Sequence, residues 1–584
     1  MIRPLLRATL ALALLAAPAA RAAEPPAVEG TRFMVVSAQH LASEAGAAIL
    51  RAGGNAVDAA VAVGYALAVV DPCCGNIGGG GFMVLHRAGG QDVFLNFRET
   101  APGAATPGMY LDARGNVIDD ASLHGWRSVA VPGTVLGLDT ALQRYGTMPR
   151  ARVMAAAIRL ARDGFVLGPS EAELLARFAS RLRADPEAAH IFLRPDGSPL
   201  RAGDRLTQTA LADTLAAIAA HGPDAFYRGR IPAAIEAASQ AGGGILRAAD
   251  FARYTVTEAP PVGCDFHGWR FVSAGLPSSG GVTICEILGI LDGYDLRAMG
   301  FHAAQTVHVM VEAMRQAYVD RNSDLGDPAF VPDPVARLLS PGYLAALRAR
   351  IGDRATPSRE LTAATPPHEH AETTHFSVMD AAGNAVAVTY TINGAFGAGV
   401  MAPGAGFLLN DEMDDFTVKP GTANMFGLVQ GAANAIAPGK RPLSSMAPTI
   451  VLRDGHVALV LGSPGGSRII TTVLETALNM TTFGLPPQEA VDAPRFHEQW
   501  LPDTVFIEPR AFSPDTAAAL RAMGYTLSTQ SPWGAVEMIA VGDAFAGASP
   551  PSSGNDAALG LALRPGHLYG ASDPRRPAGA AIGE

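Results

Sequence analysis

Thr373 and Thr391 are the two hydroxyl residues of this sequence whose placement suggests chemistry. In mid-chain a threonine is a poor nucleophile, because no base adjoins its hydroxyl. A threonine that begins a chain carries one: its α-amine, with a pKa of roughly 7.7 to 8.0, is partly neutral at physiological pH. Cleavage between Glu372 and Thr373 would therefore turn a strand residue into a nucleophile with its own base. The same two residues also fit a plain β-branched cross-strand pair, so the surrounding residues must decide between the two.

Their placement asks for a hairpin. Residues 373–379 and 385–391 read as strands, joined by the turn Asp380-Ala381-Ala382-Gly383-Asn384. If Met379 faces Ala385, then Thr373 faces Thr391. Directly opposed side chains on one face lie roughly 4.5 to 5.5 Å apart at Cβ, close enough for one hydroxyl to bond another. A slip of one residue would turn Thr391 to the other face. Ahead of the hairpin, 351–372 follows neither helical nor strand period and is rich in proline and charge, as suits an exposed segment that must distort for peptide-bond scission.

Further motifs accompany the hairpin: Thr373-Thr374-His375-Phe376-Ser377, Thr389-Tyr390-Thr391-Ile392-Asn393, Met413-Asp414-Asp415-Phe416, Lys440-Arg441-Pro442-Leu443-Ser444-Ser445-Met446 and Gly462-Ser463-Pro464-Gly465-Gly466-Ser467. Upstream stand Gly53-Gly54-Asn55-Ala56-Val57-Asp58, Gly75-Asn76-Ile77-Gly78-Gly79-Gly80-Gly81, Phe97-Arg98-Glu99, Pro277-Ser278-Ser279-Gly280-Gly281 and Leu325-Gly326-Asp327-Pro328. In order and spacing these resemble the γ-glutamyltranspeptidases, or glutathione hydrolases, of the N-terminal-nucleophile superfamily. The resemblance covers nearly the whole chain after its first residues.

The resemblance implies an α+β fold, a four-layer αββα sandwich autocleaved into interwoven subunits: a signal peptide over 1–23, a large subunit over 24–372 and a small subunit over 373–584. It implies that Thr373 attacks the γ-carbonyl of glutathione or a related donor, forms an ester, and passes the γ-glutamyl group to water or to an amino acid or peptide. Thr391 would hold the Thr373 hydroxyl, and the N–H groups of Gly465 and Gly466 would form the oxyanion hole. Arg98, with Ser444 and Ser445, would take the donor's α-carboxylate. Asn393, Glu412 and Asp415 would take its α-ammonium. Some relatives carry Gln at the position of Glu412, and Glu adds charge there. Phe426, in the segment 421–437 that resembles the lid of the pocket, stands where several bacterial members have Tyr, so no hydroxyl is available to latch the lid. No cofactor and no metal are implied. The alternatives are a cephalosporin or glutaryl-amide acylase on the same scaffold, and a processed but inactive binder of γ-glutamyl compounds.

Composition fits this reading. The net charge of −10, without a basic block, argues against nucleic acid as a partner. Arg3 and Arg7, an apolar run over 8–17 and the small-residue site Ala20-Arg21-Ala22 form an export signal too short to span a membrane, which places the mature protein in the periplasm or the medium. No later stretch reads as a span; 56–70 reads as a buried helix. Helices are also expected over 151–162, 206–220 and 301–320, the last with Val307, Met310, Val311, Met314 and Tyr318 on one buried face. Short strands, such as 449–452, dominate the second half.

Four cysteines make no disulfide framework. Cys73 and Cys74, which could form only a strained vicinal bridge, are expected to be buried free thiols; Cys264 and Cys285 could pair, but their separation in sequence does not give their distance. Several motifs fail on inspection. Asp320-Arg321-Asn322-Ser323-Asp324 opens like a calcium loop but has its glycine one residue late and Val331 where a bidentate Glu is required. His368, Glu369, His370 and His375 read as solvated residues rather than metal ligands. The run Gly78 to Gly81 matches no phosphate-binding spacing and is expected to permit close backbone packing. Residues 544–565 read as a surface loop.

Overall fold

The structure is a computed structural model that describes residues 26–358, 371–545 and 563–584, with backbone only at 371 and 372. The expected signal over 1–23, residues 368–370 and most of 544–565 lie outside the described residues.

Two seven-stranded antiparallel sheets form the centre. The first, here the hairpin sheet, runs in the order Ala580–Gly583, Met34–Ser37, Ala371–Met379, Ala385–Gly394, Gly80–His86, Asp92–Phe97, Thr257–Ala259. The second runs Val28–Gly30, Leu568–Ser572, Glu537–Val541, His456–Leu461, Thr449–Arg453, Trp269–Ser273, Val262–Phe266. Each sheet contains strands from both sides of Thr373.

The period of two along the central hairpin sorts its residues between layers. Phe376, Val378, Val386, Val388, Tyr390 and Ile392 pack with the helices Ala56–Val70, Thr134–Tyr145 and Thr209–His221. On the opposite face Met379, Ala385 and Ala387 join the core shared with the second sheet and with the helices Gly280–Leu291, Ala304–Asp324 and Ile469–Thr481. The result is the expected αββα sandwich. Ser377 crosses between the sheets, donating to the carbonyls of Glu537 (2.8 Å) and Val460 (3.2 Å).

The helix Ala56–Val70 is buried at every residue, as its unbroken apolar run requires. Asn55 caps it in a reciprocal box with Asp58, worth about 1 kcal/mol. The helix Ala304–Asp324 buries all five residues of the stripe read from its sequence. Three expectations shift. The helix expected over 301–320 runs from Ala304 to Asp324, so its last turn takes in the residues that open like a calcium loop. The helix expected over 206–220 begins at Thr209, because Arg205–Leu206 pairs as a short strand with Phe165–Val166. The one expected over 151–162 is two, Arg150–Val153 and Ala155–Asp163, which meet at Met154.

The cysteine reading is corrected. Cys73 and Cys74 are not free thiols but are bonded to each other, and Cys264 is bonded to Cys285 across a Cα separation of 5.6 Å. Cys264 lies on the edge strand Val262–Phe266 and Cys285 on the helix Gly280–Leu291 that covers it, a proximity that sequence separation alone does not reveal. His375 is likewise not solvated: it is buried on the hairpin, bonded to Thr389 Oγ1 (2.8 Å) and Ser377 Oγ (3.1 Å). Burial pushes its pKa down to about 3 and keeps the ring neutral.

Denatured but unreduced protein should therefore show no titratable thiol. Replacing Cys264 and Cys285 by Ser should lower stability by about 2 to 4 kcal/mol, the usual contribution of a bridge closing a loop of this order, read as a fall in thermal midpoint. Four alkylatable thiols in the unreduced chain would overturn the pairing.

Candidate active site

The hairpin register is the one on which the two threonines meet. Met379 pairs with Ala385 and Thr373 with Thr391, and a register shift falls only before Thr373, between it and Ala371. The Thr373 and Thr391 hydroxyl oxygens lie 3.1 Å apart, both buried. The turn fixes this register. Asp380 accepts from the backbone N–H of Ala382 and Asn384 (both 3.0 Å) and from the Asn384 amide (2.9 Å), while Gly383 takes the left-handed conformation, φ +90°. The same carboxylate accepts from Ala56 N–H (2.9 Å), tying the turn to the start of the central helix.

The glycine run holds the other end. The strand Gly80–His86 pairs with the second hairpin strand, Gly80 opposite Thr391. A Cβ on Gly79 would overlap the Thr391 carbonyl oxygen, and one on Gly81 would overlap the Thr389 carbonyl oxygen. Glycine is required here for close approach, as the sequence suggested. Beyond Thr391, Asn393 adopts φ +72°, and its backbone N–H donates to Thr391 Oγ1 at 2.8 Å. With that lone pair occupied, the Thr391 hydroxyl proton can point to Thr373. The Thr373 carbonyl accepts from Arg576 Nη1 at 2.9 Å.

One cavity is lined by Thr373, Thr391, Asn393, Arg98, Glu412 and Asp415, together with Ser444, Ser445, Gly466 and Phe426. Of the site residues expected from the sequence, only Gly465 is not among the lining. It precedes Gly466 at the head of a short 3-10 turn; φ is +134° at Gly465 and +54° at Gly466. Ser444 and Ser445 are held by the loop Pro277-Ser278-Ser279: Ser444 N–H donates to the Pro277 carbonyl (2.9 Å), and Ser279 donates to the Ser444 carbonyl through its N–H (2.8 Å) and hydroxyl (2.7 Å).

The charges in this cavity pair with one another. Arg98 is fully buried and donates through Nη1 to Glu412 and through Nη2 to Asp415; Glu99 lies 3.4 Å from Nη1, and Nε donates to the Pro442 carbonyl at 3.2 Å. Three carboxylates thus surround one guanidinium. Burial raises the pKa of all three, Glu99 to about 7, against the pull of Arg98. Glu412 Oε2 has no hydrogen-bond partner among the described residues. The cluster therefore favours an additional cation or bound protons.

Phe426 covers the site differently from the way a hydroxyl latch would. Its ring lies on Gly466, where a Cβ would overlap it. Its carbonyl accepts from Gln499 Nε2 (3.1 Å), and Gln499 Oε1 in turn accepts from the hydroxyl of Ser467 (2.6 Å), the residue after Gly466. Asn424 Oδ1 accepts from Phe426 and Leu428 N–H (3.0 and 3.1 Å), and Asp414 from Met425 N–H (3.0 Å). The segment 424–428, expected to form the lid, is fastened through its backbone, so the absence of a tyrosine hydroxyl does not leave it unlatched.

Arg321, Leu428 and Ile469 also line the cavity and were not expected there. In the sequence Arg321 stands out only within the failed calcium loop. Its signal lay in the helical period: it falls three residues after Tyr318, continuing the buried stripe with a charge.

A sequence model of gamma-glutamyltranspeptidases matches residues 42–583. The chain is 51% identical over 563 residues to a glutathione hydrolase proenzyme of Pseudomonas sp. (strain A14), covering 96% of each. It is 45% identical over 550 residues to a glutathione hydrolase proenzyme of Escherichia coli (strain K12), covering 94% of this chain and 91% of that protein. Among solved structures, it superposes on a cephalosporin acylase from Bacillus halodurans with a TM-score of 0.82 at 27% identity, over 96% of this chain and 97% of that one.

The Gln499 latch can be tested directly. Gln499→Leu should speed amide hydrogen exchange over 424–428 by roughly tenfold or more, the loss of one to two buried hydrogen bonds, with the hairpin strands unchanged. Unaltered exchange over the lid would mean that packing on Gly466 alone holds Phe426.

Proposed function

The chain belongs to the gamma-glutamyltranspeptidase family, and from that membership we propose that it is made as an exported proenzyme that cuts itself before Thr373 and then transfers γ-glutamyl groups from glutathione or related donors. The observation that carries the reading is the pair of threonine hydroxyls 3.1 Å apart in the cavity that also holds the Arg98, Glu412 and Asp415 cluster.

In maturation the Thr373 hydroxyl oxygen attacks the Glu372 carbonyl carbon. The C–N bond breaks as the ester forms, and the proton passes to the departing nitrogen, which becomes the α-amine. Water then releases Glu372 as a carboxylate. The large subunit ends there and the small subunit runs from Thr373 to Glu584.

In turnover the new amine accepts the hydroxyl proton as Thr373 attacks the γ-carbonyl, and returns it to the leaving amine. The γ-glutamyl ester is then resolved by water or by the amine of an amino acid or peptide. Thr391, fixed by the Asn393 N–H, steadies the nucleophile. The Gly465 and Gly466 N–H groups meet the oxyanion, each such donor being worth roughly 2.7 to 4 kcal/mol.

The head group is recognised by exchange of partners. A free α-amino acid carries both charges, so its carboxylate can replace an acid on Arg98 while its ammonium takes that acid. No charge is left unpaired, whereas a donor with a carboxylate alone would strand Glu412 or Asp415. This asymmetry favours γ-glutamyl over glutaryl donors. The likeness to a cephalosporin acylase supports an acylase as the second reading.

Thr373→Ala should remain a single inactive chain, while the native sequence yields two fragments, one beginning at Thr373. Efficient cutting of the purified variant at that bond would refute self-processing. Thr391→Val should slow turnover strongly in matured protein and Thr391→Ser only mildly.

Sites built around a substrate's polar group can reject the analogue lacking it by roughly 10⁴ to 10⁵. The kcat/KM for a γ-glutamyl amide should accordingly exceed that for the matching glutaryl amide by at least about a thousandfold. Asp415→Ala should narrow the gap mainly by weakening the better substrate. Comparable rates on both amides would promote the acylase reading.

A further inference from the structure

We infer that Arg321 is a positioning residue for the substrate's α-carboxylate and acts through the Ser445 hydroxyl; the inference rests on the γ-glutamyl reading above. Arg321 projects from the last turn of the helix Ala304–Asp324 and is only 1% exposed. Its Nη2 donates to Ser445 Oγ at 2.8 Å and its Nε to Ser279 Oγ at 3.1 Å. Nη1 donates to Asn322 Oδ1 (2.8 Å) and Gln430 Oε1 (3.3 Å).

All four acceptors are uncharged, and among the described residues Arg321 forms no ion pair. Burial lowers its pKa to about 10, which leaves it cationic at neutral pH. A buried guanidinium without a close counter-ion costs several kcal/mol. An anion arriving in the cavity would offset that cost.

Arg98 makes the contrast. Its charge is already met by Glu412 and Asp415, with Glu99 beside them. Arg321, which forms no ion pair among the described residues and is reached only by the longer-range charge of Asp415, is therefore the less compensated positive charge lining the cavity, beside the two serines.

Hydroxyl valence gives the mechanism. A serine oxygen has two acceptor sites and one proton to donate. Arg321 occupies an acceptor site of Ser445, and the Met446 N–H occupies one of Ser444 at 3.1 Å. Both serines line the cavity and each hydroxyl keeps its proton to donate, and the cation beside Ser445 polarises its O–H into a stronger donor. Through Ser279, whose hydroxyl and N–H both hold the Ser444 carbonyl, the same guanidinium also fixes the backbone that carries both serines.

The test compares γ-glutamyl anilide with 4-aminobutanoyl anilide, the same amide without the α-carboxylate, on matured protein. Native enzyme should prefer the first. Ser445→Ala and Arg321→Gln should each cut that preference by roughly tenfold or more, through KM rather than kcat, the scale of one hydrogen bond to a charged group. Arg321→Lys, which keeps the charge and a donor, should retain most of it. The double variant Arg321→Gln with Ser445→Ala should discriminate no less than the poorer single variant.

Equal losses on both anilides in Arg321→Gln, multiplicative losses in the double variant, or an undiminished preference in Ser445→Ala would each overturn the inference. Should Arg321→Gln not mature, Ser445→Ala and Arg321→Lys still decide: an unchanged preference in the first or its collapse in the second refutes it. No turnover of γ-glutamyl anilide by the native enzyme would instead remove the γ-glutamyl reading itself.

Discussion

The register of the hairpin formed by Ala371–Met379 and Ala385–Gly394 is the constraint on which the rest depends. Side chains alternate with a period of two, so a slip of one residue would send Thr391 into the helical layer and Tyr390 into the site. Three devices prevent it, none of them catalytic in itself. Asp380 closes the turn and binds the start of the central helix. The glycines at 79 and 81 admit the neighbouring strand only where the Thr389 and Thr391 carbonyls have room. Ser377 and His375 face the second sheet, and Ser377 bonds its carbonyls. Apolar alternation on the opposite face adds a hydrophobic cost to any slip.

Around that fixed pair the site holds more charge than a core tolerates without purpose. Arg98, Glu99, Glu412 and Asp415 lie buried together, and removing one member of such a cluster typically costs about 3 to 5 kcal/mol, because the others lose their compensation. A hydrophobic replacement of the whole set would be the more stable solution. On the proposed reading the cluster is a zwitterion's mould, in which opposite charges pair internally until a ligand with both charges exchanges with them. Arg321 feels the charge of Asp415 but is paired with none of the three carboxylates, which makes it the odd charge of the cavity.

Much of this was legible in the sequence because it is local or periodic. The turn Asp380 to Asn384 declares itself by residue type, and the hairpin's opposition follows by counting. The helix Ala56–Val70 is bounded by Asn55 and Asp71 and apolar throughout. What escaped was set by distances that counting cannot supply. Cys264 reaches Cys285 only because one helix covers an edge strand. His375 reads as polar and exposed until its partner Thr389 is found across the hairpin. Arg321 joins the site only when its helix is laid beside the loop that holds Ser445. Phe426 shows no latch in the sequence, because Gln499 lies 73 residues away along the chain.

The same topology bears on what the proposed cut can do. The bond between Glu372 and Thr373 lies within the strand Ala371–Met379, and the residues on its two sides belong to one sheet. Residues 376–379 stay paired with Met34–Ser37 on one edge, and 373–379 with Ala385–Thr391 on the other. Met34–Ser37, Gly80–His86 and Asp92–Phe97 come from before the cut, whereas Ala385–Gly394 and Ala580–Gly583 come from after it. Scission therefore frees one amine without freeing a layer: separating the fragments would break backbone pairings in both sheets and expose both cores. The pairing that holds the two threonines opposite each other is contained wholly within the later fragment, so the register survives the cut that gives Thr373 its base.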